Sequence, residues 1–140
     1  MTTLVDSNVL LDVLTEDEEW FDWSSHMLAR MAETDRLVIN PLVYAEVSLG
    51  FERIEDLDRA VPRDYLTREA LPWEAAFLAA RAFLKYRRHG GTRRHPLPDF
   101  YVGAHAAVAG YALLTRDARR YRTYFPRLRV IAPQKRSQTP

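Results

Sequence analysis

Leu37-Val38-Ile39-Asn40-Pro41-Leu42-Val43-Tyr44-Ala45-Glu46-Val47 is the stretch whose reading decides the fold. Three apolar, β-prone residues read as a short strand. Asn40 then suits a helix N-cap and Pro41 the first helical position, where a missing N–H costs nothing. The helix so started carries Leu42, Val43, Ala45, Val47, Leu49 and Phe51, with Glu46 in its middle. A strand feeding straight into a helix recurs along the chain. Thr2–Val5 is a β-prone run ending in Asp6, and Ser7-Asn8 can cap a helix from about Val9 to Leu14. Ala112–Thr115 reads as a strand before Arg119–Tyr124, a basic turn or short helix, and Leu128–Ile131 as the last strand.

Between these lie longer helical patterns. Trp20, Trp23, Met27, Leu28 and Met31 recur at helical spacing behind the acidic tract Glu16–Glu19, which the macrodipole favours at a helix start. Ile54–Arg63 reads as a short helix broken near Pro62. Tyr65–Pro72 is open between strand and loop. Trp73–Tyr86 is a helix with Ala76, Phe77, Ala80, Phe83 and Leu84 as its buried stripe. A basic loop, Arg87–His95, follows, and Pro98 restarts a helix to about Gly110 that is rich in Ala and Gly for close packing. Short apolar strands alternating with helices predict an α/β protein, a parallel sheet covered on both faces. Ligands of such sheets sit beyond the carboxyl ends of the strands.

Charge is divided unevenly. Residues 1–70 hold sixteen of the nineteen Asp and Glu, and residues 71–140 hold fourteen of the twenty Lys and Arg. A net charge of +1 hides this split, which points to a polyanionic partner. Eighteen of the basic residues are arginine, the side chain suited to bidentate phosphate contacts. The 140 residues suffice for one domain with a real core. The chain has no cysteine, which rules out thiolate catalysis and thiolate metal sites and fits a reducing cytoplasm. Its start lacks a signal-peptide pattern, and its longest apolar region, Gly103 to Leu114, is too short to cross a membrane.

Within the basic half only Glu74, Asp99 and Asp117 are acidic. Asp6 and Asp117 follow strands, while Glu46 and Asp99 lie in the first turns of helices, so the topology can bring all four to one sheet edge. Each also has an ordinary role: a cap for Asp6, a surface position for Glu46, a first-turn acid for Asp99, a turn start for Asp117. Together they suit hard cations such as Mg²⁺ or Mn²⁺, which take oxygen ligands. Two such ions about 4 Å apart can activate water and stabilise an in-line phosphodiester displacement. Asn8 and Thr115 can orient the carboxylates or serve as plain caps. His105 among alanines reads as a core or interface histidine. No histidine pair at zinc spacing, no phosphate-cradling glycine loop and no serine elbow occurs. Arg87, Arg88, Arg93, Arg94 and Arg116 are candidates for contact with a polyanion or an acidic protein segment, and a solvated loop is the alternative for the first four.

Val-Asp-Ser-Asn-Val-Leu-Leu-Asp at 5–12, Asn-Pro-Leu-Val-Tyr-Ala-Glu-Val at 40–47, Pro-Asp-Phe-Tyr-Val-Gly-Ala-His-Ala at 98–106 and Leu-Leu-Thr-Arg-Asp at 113–117, with Arg-Arg-Tyr after it, resemble PIN-domain ribonucleases, above all VapC-type toxins of bacterial toxin–antitoxin pairs. The resemblance covers nearly the whole chain in the family's order and departs from it in Tyr65–Glu69 and the Arg-rich loop. It implies a three-layer α/β/α sandwich with a mainly parallel central sheet over residues 1–132, and the residues after it, 133–140, read as a flexible basic tail. It implies Mg²⁺- or Mn²⁺-dependent endoribonuclease activity through Asp6, Glu46, Asp99 and Asp117, with Asn8 and Thr115 supporting, and 5′-phosphate and 3′-hydroxyl products. It also implies a homodimer neutralised by a VapB-type antitoxin, and the missing cysteine and signal pattern make a cytoplasmic location the expectation. Two other readings stay open: a catalytically inactive PIN-fold module that binds RNA or a partner, and an acid-cluster phosphatase. The latter is disfavoured because Asp6-Ser7-Asn8 lacks a second acid two residues on.

Overall fold

The structure, a computed structural model, describes residues 1–134; the end of the expected basic tail, 135–140, lies outside the described residues. The first strand, β1 (Thr2–Val5), leads to α1 (Ser7–Leu14) and α2 (Phe21–Thr34). β2 (Arg36–Ile39), α3 (Pro41–Ser48), α4 (Ile54–Ala60) and β3 (Thr67–Arg68) follow. Then come α5 (Trp73–Arg88), α6 (Pro98–Ala109), β4 (Ala112–Leu114), α7 (Arg119–Tyr124) and β5 (Val130–Ile131). The strands form one sheet in the order β3-β2-β1-β4-β5, and every pairing is parallel. Tyr65–Pro72 therefore holds a strand, with Val38 opposite Thr67 and Ile39 opposite Arg68.

Right-handed crossovers place α1 to α4 on one face and α5 to α7 on the other. α1 touches α2 and α3, while α5, α6 and α7 touch one another, and α3 also meets α6, which brings the helices of Glu46 and Asp99 together. Being covered on both faces explains why Leu4, Val5, Val38, Ile39, Leu113 and Leu114 are all buried, with no polar alternation. The chain moves from β1 outward to β3, then crosses back to lay β4 on the other side of β1. Strand order thus reverses at β1 and β4, and the crevice beyond their carboxyl ends is where such a sheet accepts ligands. The amide of Asp6 donates to the Leu114 carbonyl at 2.9 Å, carrying the β1–β4 ladder right up to that crevice.

Asn40 caps α3 as its sequence suggests, its Oδ1 accepting the Val43 amide at 3.0 Å ahead of Pro41. α3 is shorter than expected. It closes at Ser48, whose hydroxyl bonds back to the Tyr44 carbonyl. Leu49 is left 89% exposed. The acidic tract 16–19 lies ahead of α2 rather than in it, and Asp17 Oδ2 receives the Glu19 and Trp20 amides.

The larger correction is the face of α5. Its buried residues are Ala75, Ala79 and Ala82, with Leu78, Phe83 and Tyr86 beside them, while Phe77 is 66% exposed and Leu84 also faces solvent. α5 packs closely on α6, so alanines fill the contact and Phe83 and Tyr86 meet Phe100 edge to face. Phe77 instead lies under the Arg81 guanidinium, 5.0 Å from ring centroid to carbon.

Candidate metal centre

Asp6 ends β1 and starts α1. One carboxylate oxygen, Oδ1, accepts the Ser7 amide at 2.8 Å, so the capping role is real. The other, Oδ2, accepts the Thr115 hydroxyl at 2.9 Å and the Tyr121 hydroxyl at 2.8 Å. Asp6 is 3% exposed. Burial pushes its pKa up, against these hydrogen bonds, and the charge of Asp99 pushes it further.

Thr115 and Asn8 are arranged around this carboxylate. Asn8 Nδ2 donates to Thr115 Oγ1 at 3.2 Å, and Asn8 Oδ1 accepts the Arg116 amide at 3.0 Å. Thr115 is fully buried where β4 ends. Its hydroxyl therefore has one orientation that satisfies Asp6, which fixes that oxygen across the β1–β4 crevice.

Glu46 reaches the same place from the second turn of α3. Its Oε1 is buried and has no hydrogen-bond partner among the described residues. Burial raises its pKa, with Ser7 opposing and the charges of Asp6 and Asp99 adding to the rise. An orphaned buried carboxylate oxygen is costly unless a cation or a proton completes it.

Asp99 stands in the first turn of α6, after Pro98. Its Oδ1 lies 3.4 Å from the Tyr121 hydroxyl, and its Oδ2 accepts Arg120 Nη1 at 2.9 Å. Tyr121 thus stands between Asp6 and Asp99 as a buried phenol. Burial, then the nearby charge of Asp6, holds its pKa well above the ordinary tyrosine value, so it donates. Gly103 permits the approach: a Cβ there would meet Phe125 at 2.5 Å and Tyr121 at 3.0 Å.

Asp117 is placed differently. It is exposed, and its Oδ1 accepts the Arg119 amide at 3.3 Å, the turn role open to it from sequence. Its backbone closes on Thr115 Oγ1, and its side chain lines a cleft of about 340 Å³ with Asp99, Arg119 and Arg120. The structure therefore brings Asp6, Glu46 and Asp99 within mutual electrostatic reach and leaves Asp117 at the rim. Among the described residues, no three acids or histidines are arranged to hold an ion as they stand. The donor set nonetheless suits a hard divalent cation: oxygens only, on three like-charged carboxylates, with one oxygen orphaned.

The basic candidates divide as well. Arg116 is engaged: its Nε and Nη2 bond Asp12 at 2.9 and 3.1 Å, and its guanidinium lies over Trp20. Arg87 turns back to the Arg93 carbonyl, whereas Arg88, Arg93 and Arg94 are exposed. The cations beside the acids are Arg119 and Arg120 of α7. Sequence reading placed Arg119-Arg120-Tyr121 in the motif after Asp117 but gave Arg120 and Tyr121 no role in the site. The available signal was an aromatic residue four positions after Asp117 in an otherwise arginine-rich turn.

His105 is a core histidine. Asn40 must turn its amide nitrogen toward His105 Nδ1, 3.1 Å away, because its oxygen caps α3. Nδ1 is then the acceptor, and Nε2–H faces Glu69 Oε2 at 3.5 Å. Burial lowers the His105 pKa against the pull of Glu69.

Comparison with known proteins adds three findings. The family model of the PIN domain matches residues 3–126. No curated protein matches the sequence. Several solved structures share the fold at low identity. The complex VapBC2 from Rickettsia felis, bound to a DNA fragment from its promoter, gives a TM-score of 0.74 at 14% identity, covering 96% of this chain and 100% of that one. VapBC-1 from nontypeable Haemophilus influenzae gives 0.71 at 16%, covering 94% and 98%. DNA-bound VapBC from Salmonella typhimurium gives 0.68 at 17%, also covering 94% and 98%.

Proposed function

We propose that this chain, which belongs to the PIN-domain family, is a divalent-metal-dependent endoribonuclease and the toxin of a toxin–antitoxin pair. The observation that carries the reading is the convergence of Asp6, Glu46 and Asp99 at the point where strand order reverses, with Glu46 Oε1 buried and unpartnered. Asp6 and Asp99, completed by Glu46, are the residues that would hold Mg²⁺ or Mn²⁺, with Asp117 contributing from the rim. Such an ion, when bound, lowers the pKa of its water and balances charge on the scissile phosphate.

The protein's own groups supply the rest. Thr115 and Tyr121 fix Asp6 Oδ2 by donating to it, so that oxygen does not rotate away. Asn8 orients Thr115. The open cleft beside Asp99 and Asp117 gives the RNA backbone an approach, and arginines on its wall favour a polyanion. No cysteine is present and no serine has a base beside it in a nucleophile motif, so a covalent intermediate has no support.

The fold neighbours are complexes of VapBC type, which supports a VapB-type antitoxin as partner here. A homodimer is part of the same reading, with residues 1–132 as the nuclease domain. Among the described residues no helix is long and apolar enough to cross a membrane. The test is to incubate the purified protein with RNA, with and without Mg²⁺ or Mn²⁺, and map the product ends. The expected result is cleavage only with metal, leaving 5′-phosphate and 3′-hydroxyl ends. Cleavage in excess chelator giving 2′,3′-cyclic phosphates would overturn the mechanism. Metal-independent RNA binding with no cleavage would favour the inactive-module alternative.

A further inference from the structure

The acids that meet at the reversal point already hold a cation, and it belongs to the chain. Arg120, the second residue of α7, donates from Nη1 to Asp99 Oδ2 at 2.9 Å. The other oxygen of Asp99 faces Tyr121, the next residue of the same helix. Consecutive residues of a single turn thus face the two oxygens of one acid, Arg120 donating to Oδ2 while the Tyr121 proton goes to Asp6. The Arg120 guanidinium also lies over the Phe100 ring, 5.9 Å from its centroid, which steadies its approach to Asp99.

This pair makes a poor structural tie. The side chains of Arg120 and Asp99 are 38% and 36% exposed, and pairs so placed are screened and weak. It does have a consequence for binding. A divalent ion at Asp99 must settle on a carboxylate whose Oδ2 Arg120 already holds, Oδ1 being the oxygen on the Tyr121 side. Two cations on one carboxylate repel each other, so loading the metal loosens the guanidinium's hold. Arg120 then stands in the same cleft as Asp99 and Asp117, where Asp117 Oδ1 is engaged by the Arg119 amide. The acceptor that suits a planar, two-pronged cation at that point is a phosphate of the incoming RNA.

We infer that Arg120 is an internal counter-ion of Asp99 that a divalent cation displaces, and that the displaced guanidinium binds the RNA backbone. Metal and RNA are thereby coupled through one side chain. This rests on the metal-dependent nuclease reading of the same site. By linkage, whatever the metal does for RNA affinity through Arg120, RNA does for metal affinity.

The test separates the two steps. Mn²⁺ binding to RNA-free protein is measured by calorimetry for the wild type, Arg120→Gln, Arg120→Lys and Arg122→Gln, the last removing a charge from the same helix away from Asp99. Arg120→Gln should bind Mn²⁺ about two- to five-fold more tightly, the range an exposed ion pair allows. Arg120→Lys and Arg122→Gln should match the wild type. Affinity for a phosphorothioate oligoribonucleotide is then measured in Mn²⁺ and in chelator. Arg120→Gln should lose at least about three-fold in Mn²⁺, within the range of one charge-assisted contact, and little in chelator. Equal or weaker Mn²⁺ binding by Arg120→Gln would overturn the counter-ion role. An equal loss of RNA affinity with and without metal would overturn the coupling. A wild type that binds no Mn²⁺ would overturn the metal-site reading and this inference with it, whereas a wild type that binds the ion as Arg120→Gln does would overturn this inference alone.

Discussion

Two buried acids of the same short segment, Asp6 and Asp12, are treated in opposite ways. Asp12 is complete. Arg116 grips both its oxygens and Ser24 donates to Oδ2 at 2.8 Å, with Trp20 covering the guanidinium. Asp6 has hydrogen bonds but no cation, and it faces Asp99 and an orphaned oxygen on Glu46. Both acids are nearly inaccessible, at 2% and 3% exposure. Burial therefore does not distinguish structure from function; the completeness of the partners does. Asp12 ties α1 to α2 and to the turn after β4, whereas Asp6 sits in a site whose charges are balanced only if something else arrives.

The largest expected effect breaks the incomplete side. Asp99→Asn should lower metal-dependent cleavage by more than about 100-fold, beyond what loss of a supporting partner costs. The fold should survive, because the substitution removes a weak exposed pair with Arg120 and also one like charge near Asp6 and Glu46. Cleavage kinetics and thermal unfolding measured together check this, and full activity would reject the role of Asp99.

Asp12→Ala should do the reverse. It strands Arg116 and Ser24, and removing one member of a buried pair costs about 3–5 kcal/mol. The lower end is expected, since Arg116 is 33% exposed. Urea unfolding should show the loss, while Mn²⁺ affinity of the folded protein stays near the wild-type value. A stable variant with weakened metal binding would erase the contrast between the two acids.

A third buried titratable group sharpens it. His105 is complete only when neutral, accepting from Asn40 and facing Glu69. Its pKa is lowered by burial, so the unfolded chain binds a proton that the folded protein refuses. Stability should therefore be full above about pH 6.5 and fall as pH drops below it, with a slope of up to about 1.4 kcal/mol per pH unit. His105→Asn should be less stable at neutral pH but flatter across that window. An unchanged slope would assign the pH dependence to other groups.

Much of this was legible from the sequence where one residue type has one physical use. Asn40-Pro41 could start a helix and little else, and the all-apolar strands required cover on both faces. The acids Asp6, Glu46, Asp99 and Asp117 stood out alike because carboxylates beside apolar runs need a reason, and nothing local marked Asp117 as the one at the rim. The face of α5 was not legible, because apolar side chains surround that helix: Trp73, Phe77 and Leu84 on one side, Leu78, Phe83 and Tyr86 on the other. Periodicity cannot choose between two apolar faces. The close packing on α6 chose the one bearing Ala75, Ala79 and Ala82. Arg120 and Tyr121 belonged to a family-like motif, but their use was obscured in a different way, since it depends on the long-range approach of α7 to α6 at Gly103.

The smallest expected effect extends the same rule from acids to arginines. Arg116 has its partners and should be part of the scaffold. Arg88, Arg93 and Arg94 have no acidic partner among the described residues and lie exposed at and after the end of α5. A cation left unsatisfied at the surface of the basic half is available to phosphate. Phosphate contacts carry no sequence information, so replacing these three together with Arg87 by Gln should weaken binding alike for RNAs of different sequence. For every phosphate that thereby goes without its arginine, the plot of log affinity against log salt should flatten by about 0.7 for a single strand. Binding assays across a salt series decide it. An unchanged slope would mean that the loop is merely solvated, and that the cleft arginines of α7 hold the RNA backbone without it.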